Sequence, residues 1–378
     1  MKPRLLMPGP SPVPEETLLE LAKPVGYHRS AEAKKITTEV VQGLQTIFCT
    51  KNAVMPLTCS GTGSLEAALV NVAAAGQKVI VAVAGKFGER WRNIARAFGI
   101  EAISIEVPYG KIVTPEMIEK SLAAHPDAVA VCNTQSETST GALHDMASIG
   151  KIVARTPALL LCDGISAIGA MECRTDAWNI DVCCTGSQKA LMMPPGLAFI
   201  AVSDKAWAVI DKNPTPRSFY FNLPKARKAI AEFDTPFTPA HTLLKAMRVS
   251  VQRILAEGIE NVWKRQALHA EAARAGMVAL GLRIFPEPPS NALTVAAMPA
   301  NLDSSEVLRR MEKEFGLKLA NGQDSLKGKI VRLGHLGYID RFDILAAIAG
   351  LEVVLRDMGQ PVELGAGVAA CQRVLGRR

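Results

Sequence analysis

From about residue 60 the chain alternates short apolar runs with amphipathic stretches. The runs are Val79–Val83, Ala102–Ile105, Ala128–Cys132, Ala158–Cys162, Val182–Cys184 and Phe199–Val202. Between several of them lie helical patterns near residues 64–75, 87–98, 115–124 and 145–155. Strands that are apolar throughout, rather than alternating, belong to sheets covered on both faces. Strands alternating with helices predict an α/β fold with a mostly parallel sheet. The runs at 182–184 and 199–202 lie too close for a helical crossover, so these two strands are expected to pair antiparallel.

The flanking segments read differently. Residues 1–17 carry five prolines and one glycine and predict an extended arm. Residues 206–235 are rich in proline and charge and read as irregular. One long helix is predicted from about 240 to 280, starting after Thr238-Pro239 and ending near Gly281. The last hundred residues predict strand 293–296, helix 304–315, strand 330–333 and helix 340–358, a smaller α/β unit. The expected division is an arm over 1–17, a large domain over 18–270 and a small C-terminal domain over 271–378. There is no internal repeat.

Composition narrows the function classes. The 378 residues are 48% hydrophobic and 21% charged, enough for a large core. No run reaches the roughly 18 apolar residues a membrane helix needs, and the N-terminal residues lack the apolar stretch of a signal peptide. The eight cysteines show no metal-type spacing. Cys132, Cys162, Cys183 and Cys184 sit inside apolar runs as small core residues, and a reducing, cytoplasmic setting is expected. The net charge of +7 is not gathered into basic blocks interleaved with aromatics, so nucleic acid is not an expected partner. A mildly cationic protein can still draw small anions toward a cleft.

Five motifs carry chemistry. Ser187-Gln188-Lys189-Ala190-Leu191 places one lysine in a short turn between two strand-like runs. A cation there needs a partner or a reason to be neutral. A lysine that forms a Schiff base has such a reason, because desolvation lowers its pKa and frees the amine to attack a carbonyl; an exposed turn lysine is the plain alternative. Thr58-Cys59-Ser60-Gly61-Thr62-Gly63-Ser64 opens a helix and offers N–H groups and hydroxyls to a phosphate. Counting from Gly61, Glu66 stands where a dinucleotide fingerprint has its third glycine, which argues against a nicotinamide-dependent oxidoreductase. Asp163 ends an apolar strand, at the edge where open α/β sheets bind ligands. It suits a protonated pyridine nitrogen, or simply caps the next turn. Phe87, between small residues after another strand, is a stacking candidate or a core residue. Arg332 in an apolar strand of the small unit can grip a carboxylate bidentately or serve a structural ion pair.

Together these motifs resemble the class V, fold-type I pyridoxal-phosphate aminotransferases, and within them the alanine–glyoxylate and serine–pyruvate aminotransferases. Ser187–Leu191, the following Pro194-Pro195-Gly196, and Glu137-Thr138-Ser139-Thr140-Gly141 carry the resemblance, which runs from Pro8-Gly9-Pro10 to Arg332. It implies pyridoxal 5'-phosphate as cofactor, with Lys189 holding it as a Schiff base and Asp163 pairing with the ring nitrogen. Phe87 would stack on the ring, where many relatives carry Trp. Thr62, Gly63, Ser64 and Gln188 would bind the phosphate, and Thr138 would sit near the ring hydroxyl. Arg332 would bind the substrate carboxylate, with Gly9 and Tyr27 at the entrance. The resemblance also implies a homodimer, with Thr238 reaching the opposite phosphate. The implied reaction moves an amino group between alanine or serine and glyoxylate or pyruvate, with 2-aminoethylphosphonate and ureidoglycine enzymes as alternatives on the same scaffold. Cysteine desulfurases share the fold but place His before the lysine, where this chain has Gln188. An inactive interaction module would be expected to lose Lys189 or Asp163, and both are present.

Overall fold

The computed structural model describes residues 2–212 and 218–377. Seven strands form the main sheet: β1 (Val54–Leu57), β2 (Lys78–Val83), β3 (Glu101–Glu106), β4 (Ala130–Thr134), β5 (Leu159–Asp163), β6 (Val182–Gly186) and β7 (Ala198–Val202). Their spatial order is β1-β7-β6-β5-β4-β2-β3. The neighbours from β6 to β3 pair in parallel, and β7 runs antiparallel to both β6 and β1. The antiparallel pairing expected from the close spacing of 182–184 and 199–202 is therefore present. Alternate residues fill two cores. Ile80, Val131, Leu160, Cys162, Cys183 and Phe199 pack on one face, and Val79, Val81, Cys132, Leu161, Cys184 and Ile200 on the other. That is why these strands read as unbroken apolar runs.

The predicted helices appear as α1 (Gly61–Val72), α2 (Lys86–Ala97), α3 (Pro115–Ala124) and α4 (Met146–Val153). The long helix predicted for 240–280 is two helices, α5 (His241–Glu257) and α6 (Ile259–Ala279). Gly258 separates them at φ +83°, a left-handed conformation that ends one helix and redirects the chain. Of the segment 206–235 that reads as irregular, residues 213–217 lie outside the described residues; residues 206–212 and 218–235 are more ordered than their composition suggests. They include most of helix Asp204–Ile210 and all of helix Leu223–Ile230, the latter capped by Asn222, whose Oδ1 accepts from Lys225 N at 2.9 Å. Pro224 lies in its first turn, where a missing N–H costs nothing.

A second sheet is built from β8 (Arg283–Ile284), β9 (Leu293–Ala297), β10 (Ala320–Asn321) and β11 (Ile330–Gly334) in the order β8-β9-β11-β10, all antiparallel. Helices α7 (Ser304–Phe315) and α8 (Arg341–Asp357) cover it. The N-terminal arm packs on its own chain. Arg4–Leu5 pair in parallel with Leu317–Lys318, Gly334 N donates to the Leu6 carbonyl at 2.8 Å, and Leu6 is buried in the core of this second unit. A Cβ on Gly334 would overlap the Met7 carbonyl. Gly334→Ala is therefore expected to lift the arm, costing about 1–3 kcal/mol by overpacking and speeding limited proteolysis within residues 1–13. An unchanged melting temperature with an unchanged cleavage rate would refute this role for Gly334.

Candidate active site

The parallel strands deliver their C-terminal ends to one edge of the sheet, and the candidate residues gather there. After β6 the chain turns through Ser187-Gln188-Lys189 before returning as β7. Ser187 anchors the turn: its Oγ donates to the Pro194 carbonyl (2.7 Å) and accepts from Leu197 N (3.3 Å). The arm closes over it. Ser11 N donates to the Gln188 carbonyl (2.9 Å), and Ser11 Oγ donates to the Lys189 carbonyl (2.6 Å). Lys189 Nζ donates to the Pro8 carbonyl at 2.6 Å. A Cβ on Gly9 would overlap this amine, so only glycine fits between arm and lysine. Loss of water pushes the Lys189 pKa down to about 8. Asp163 opposes that shift, while Arg332 and Arg90 reinforce it.

Asp163 ends β5 and is 3% exposed. Its Oδ1 accepts from Ile165 N at 2.9 Å. Burial pushes its pKa up to about 7. Among the described residues no cationic side chain forms an ion pair with it. A buried carboxylate in that state is short of a cationic donor.

Glu137 orders the facing wall. Its buried carboxylate accepts from Phe87 N and Gly88 N (both 3.1 Å) and from Ser139 N (3.2 Å), which satisfies orphan donors at the start of α2. Burial raises its pKa, and the hydrogen bonds oppose the rise. Gly85 is required here, because a Cβ would run into Ser139 Oγ and the Glu137 carboxyl. The result is a fixed Phe87. Arg90, one turn further along α2, lies 4.7 Å above the Phe87 ring, and its Nη1 donates to Thr62 Oγ1 at 3.1 Å.

Of the residues singled out in the sequence, Thr62, Phe87, Thr138, Asp163, Gln188 and Lys189 line one cavity with about 480 Å³ of open space. Thr138 Oγ1 shares a 2.6 Å hydrogen bond with Ser166 Oγ. Gly63 and Ser64 do not line it. Ser64 Oγ donates back to the Gly61 carbonyl (2.8 Å), and Gly63 faces Cys59 and Phe221, so the loop turns Ser60, Gly61 and Thr62 toward the cavity instead. Arg332 stands beside the cavity, 7% exposed, with Nε donating to the Asn321 carbonyl (2.8 Å) and Nη1 to the Thr138 carbonyl (2.9 Å). Burial lowers its pKa to about 10. Tyr27 is 67% exposed and packs edge-on against His28, and Thr238 is exposed; neither lines the cavity of this chain. Sequence reasoning passed over Ser166 and Arg90, and it named Ser60 and Gly61 only as members of the loop. For Arg90 the available signal was its spacing from Phe87, three residues on one helix face.

The cavity suits pyridoxal phosphate on its own features. It holds a desolvated amine, a buried carboxylate without a cation, an aromatic face, and a helix N-terminus beside the Gln188 Oε1, which is buried without a partner. The family model described as Aminotransferase class-V matches residues 15–339. The chain belongs to the class V aminotransferases. As a member of that family it is a pyridoxal-phosphate-dependent aminotransferase. It is 34% identical to the L-aspartate–glyoxylate aminotransferase of Paracoccus denitrificans, over 97% of this chain and 95% of that protein. It is 41% identical to a Synechococcus protein named soluble hydrogenase, small subunit, over 99% of this chain and 98% of that one. Among solved structures it resembles the ureidoglycine–glyoxylate aminotransferase of Bacillus subtilis, with a TM-score of 0.94, 29% identity and complete coverage of both chains.

The Asp163 environment sets a stability test. A carboxyl whose pKa is raised on folding from 3.8 to about 7 stabilises the fold only while protonated, and that contribution is lost as pH rises through this window. Asp163→Asn in the apoprotein is therefore expected to match wild type near pH 4. It should melt several degrees higher at pH 8, with about 4 kcal/mol as the upper bound from the shift. Equal melting temperatures at pH 8 would contradict the desolvated carboxylate.

Proposed function

We propose that this aminotransferase moves the amino group of a small amino acid, alanine or serine, to a 2-oxo acid such as glyoxylate or pyruvate. The observation that carries the reading is Arg332 beside the Lys189–Asp163 cavity. Among the described residues no carboxylate pairs with this guanidinium, which is held by two backbone carbonyls and is left to meet a carboxylate from the substrate. The acceptor follows the printed names of the aspartate–glyoxylate and ureidoglycine–glyoxylate relatives, which differ in donor and share glyoxylate. The donor follows the resemblance to alanine–glyoxylate and serine–pyruvate enzymes. Ureidoglycine remains the second reading, because the whole chain superposes on an enzyme named for it.

Bound pyridoxal phosphate supplies an electron sink for the carbanion formed at the substrate Cα. Arg332 orients the substrate by its carboxylate, so that the Cα–H bond faces Lys189. Lys189 Nζ, with its pKa brought down to about 8, would accept the Cα proton as general base and, as general acid, would deliver it to the cofactor carbon that has taken up the electron pair. Asp163 would keep the ring nitrogen protonated and would gain the cationic partner it lacks. Phe87, fixed through Glu137, would stack against the ring.

The reading extends to assembly and location. The active unit is a homodimer whose face includes Phe219, Tyr220 and Phe237, with Tyr220 and Phe237 stacked at 5.2 Å between centroids. Phe219 is 76% and Tyr220 44% exposed, an aromatic patch that a second copy would cover. Thr238 follows directly and would reach the partner's phosphate site. The eight free thiols suit a reducing cytoplasm, and no helix among the described residues is long and apolar enough to cross a membrane.

Three outcomes are expected. In a donor–acceptor screen, alanine or serine with glyoxylate gives the highest kcat/KM; turnover confined to ureidoglycine or 2-aminoethylphosphonate would overturn the donor assignment. Arg332→Lys raises the KM for several 2-oxo acids by roughly tenfold or more, since ammonium cannot reproduce the fork, and wild-type KM values would remove the carboxylate clamp. Mixing Lys189→Ala with a cofactor-defective Thr238 variant under subunit exchange restores part of the activity in mixed dimers. No recovery in verified mixed dimers would place Thr238 outside the partner's site.

A further inference from the structure

We propose that Arg90 supplies the main positive charge that binds the cofactor's phosphate, a role that rests on the pyridoxal phosphate reading of the same cavity. A phosphate monoester carries close to two negative charges near neutral pH. The N-terminus of α1 offers the equivalent of roughly half a positive charge. The remainder needs a cation, and the cavity wall contains two cationic side chains, Arg90 and Lys189. Lys189 is committed to the reacting carbon. Lys86, one turn earlier on α2, is occupied by Asp324 and Glu89 at 2.6 and 2.7 Å.

Arg90 is built for the task. Among the described residues no carboxylate forms an ion pair with it. Its Nη1 donates to Thr62 Oγ1 on the loop that opens α1, which leaves the Thr62 hydroxyl proton free to donate to an anion at the same place. The Phe87 face beneath the guanidinium holds it over the cavity. Its other donors remain for phosphate oxygens, the planar arrangement that binds phosphate well. Arg90 also lies close enough to lower the pKa values of both Asp163 and Lys189, so its charge reaches the cavity interior. The same guanidinium could instead meet a second carboxylate on a dicarboxylic donor, and the experiment separates the two.

Apoprotein of wild type, Arg90→Met and Arg90→Lys is titrated with pyridoxal phosphate and, separately, with unphosphorylated pyridoxal, after melting curves show each variant folded. Arg90→Met is expected to weaken pyridoxal phosphate roughly 10–100-fold, the loss of charge-assisted hydrogen bonds, and to leave pyridoxal unchanged. Arg90→Lys falls between. Inorganic phosphate should compete with pyridoxal phosphate for wild type and much less for Arg90→Met. If both ligands weaken together, Arg90 acts through Phe87 and the proposal fails. It also fails if neither changes, or if only the KM of aspartate as donor rises. A wild-type apoprotein that binds neither ligand overturns the cofactor reading together with the proposal, whereas binding of both with an unchanged ratio in Arg90→Met overturns the role of Arg90 alone.

Discussion

An amine and a carboxylate are held out of water at one edge of a buried sheet without forming an ion pair with each other. Neither Lys189 nor Asp163 is comfortable there: burial pushes the amine pKa down to about 8 and the carboxyl pKa up to about 7. An isolated buried charge costs free energy unless paired, and groups in this position shift toward neutrality. The surroundings therefore have to be rigid enough to hold them. The flanking strands β4, β5 and β6 are buried throughout, the Pro8 carbonyl accepts from the lysine amine, and Ser11 ties the arm to the same turn. A ligand that offers a carbonyl to the amine and a protonated nitrogen to the carboxylate relieves both costs together.

The arm connects this site to the second unit. Arg4–Leu5 extend along Leu317–Lys318, Leu6 sits in the core behind β11, and two residues later the Pro8 carbonyl meets Lys189. Arg332 lies on β11 itself, two residues before the glycine that receives the arm. The residue proposed to hold the substrate carboxylate and the carbonyl that holds the lysine amine are thus joined through one short stretch of backbone. Lys86 to Asp324 adds a link from α2 to the loop beside β10.

Sequence pattern carried much of this and missed the rest for identifiable reasons. Strands such as Ala130–Thr134 and Leu159–Asp163 were legible because both faces are buried, so every residue is apolar until the polar end that faces the site. The break at Gly258 was hidden because the hydrophobic pattern continues on either side and a glycine within a helical pattern is tolerated. Helix Leu223–Ile230 was masked by its proline and basic residues, which are favourable in a first and last turn. In the Gly/Ser/Thr loop the sequence shows which residues offer hydroxyls but not which way they turn. Ser64 spends its hydroxyl on Gly61, and the cavity falls to residues 60–62. Arg90 read as one more helix charge, because whether a carboxylate among the described residues forms an ion pair with it is settled in space and not by spacing.

The measurement that bears most directly on this account is covalent mapping of the cofactor. Protein reconstituted with pyridoxal phosphate and treated with borohydride should lose its visible absorbance, and peptide mapping should find the pyridoxyl group on Lys189. A pyridoxyl group on any other lysine, or a reconstituted protein with no visible band to reduce, would contradict the assignment of Lys189 as the residue around which the site is built.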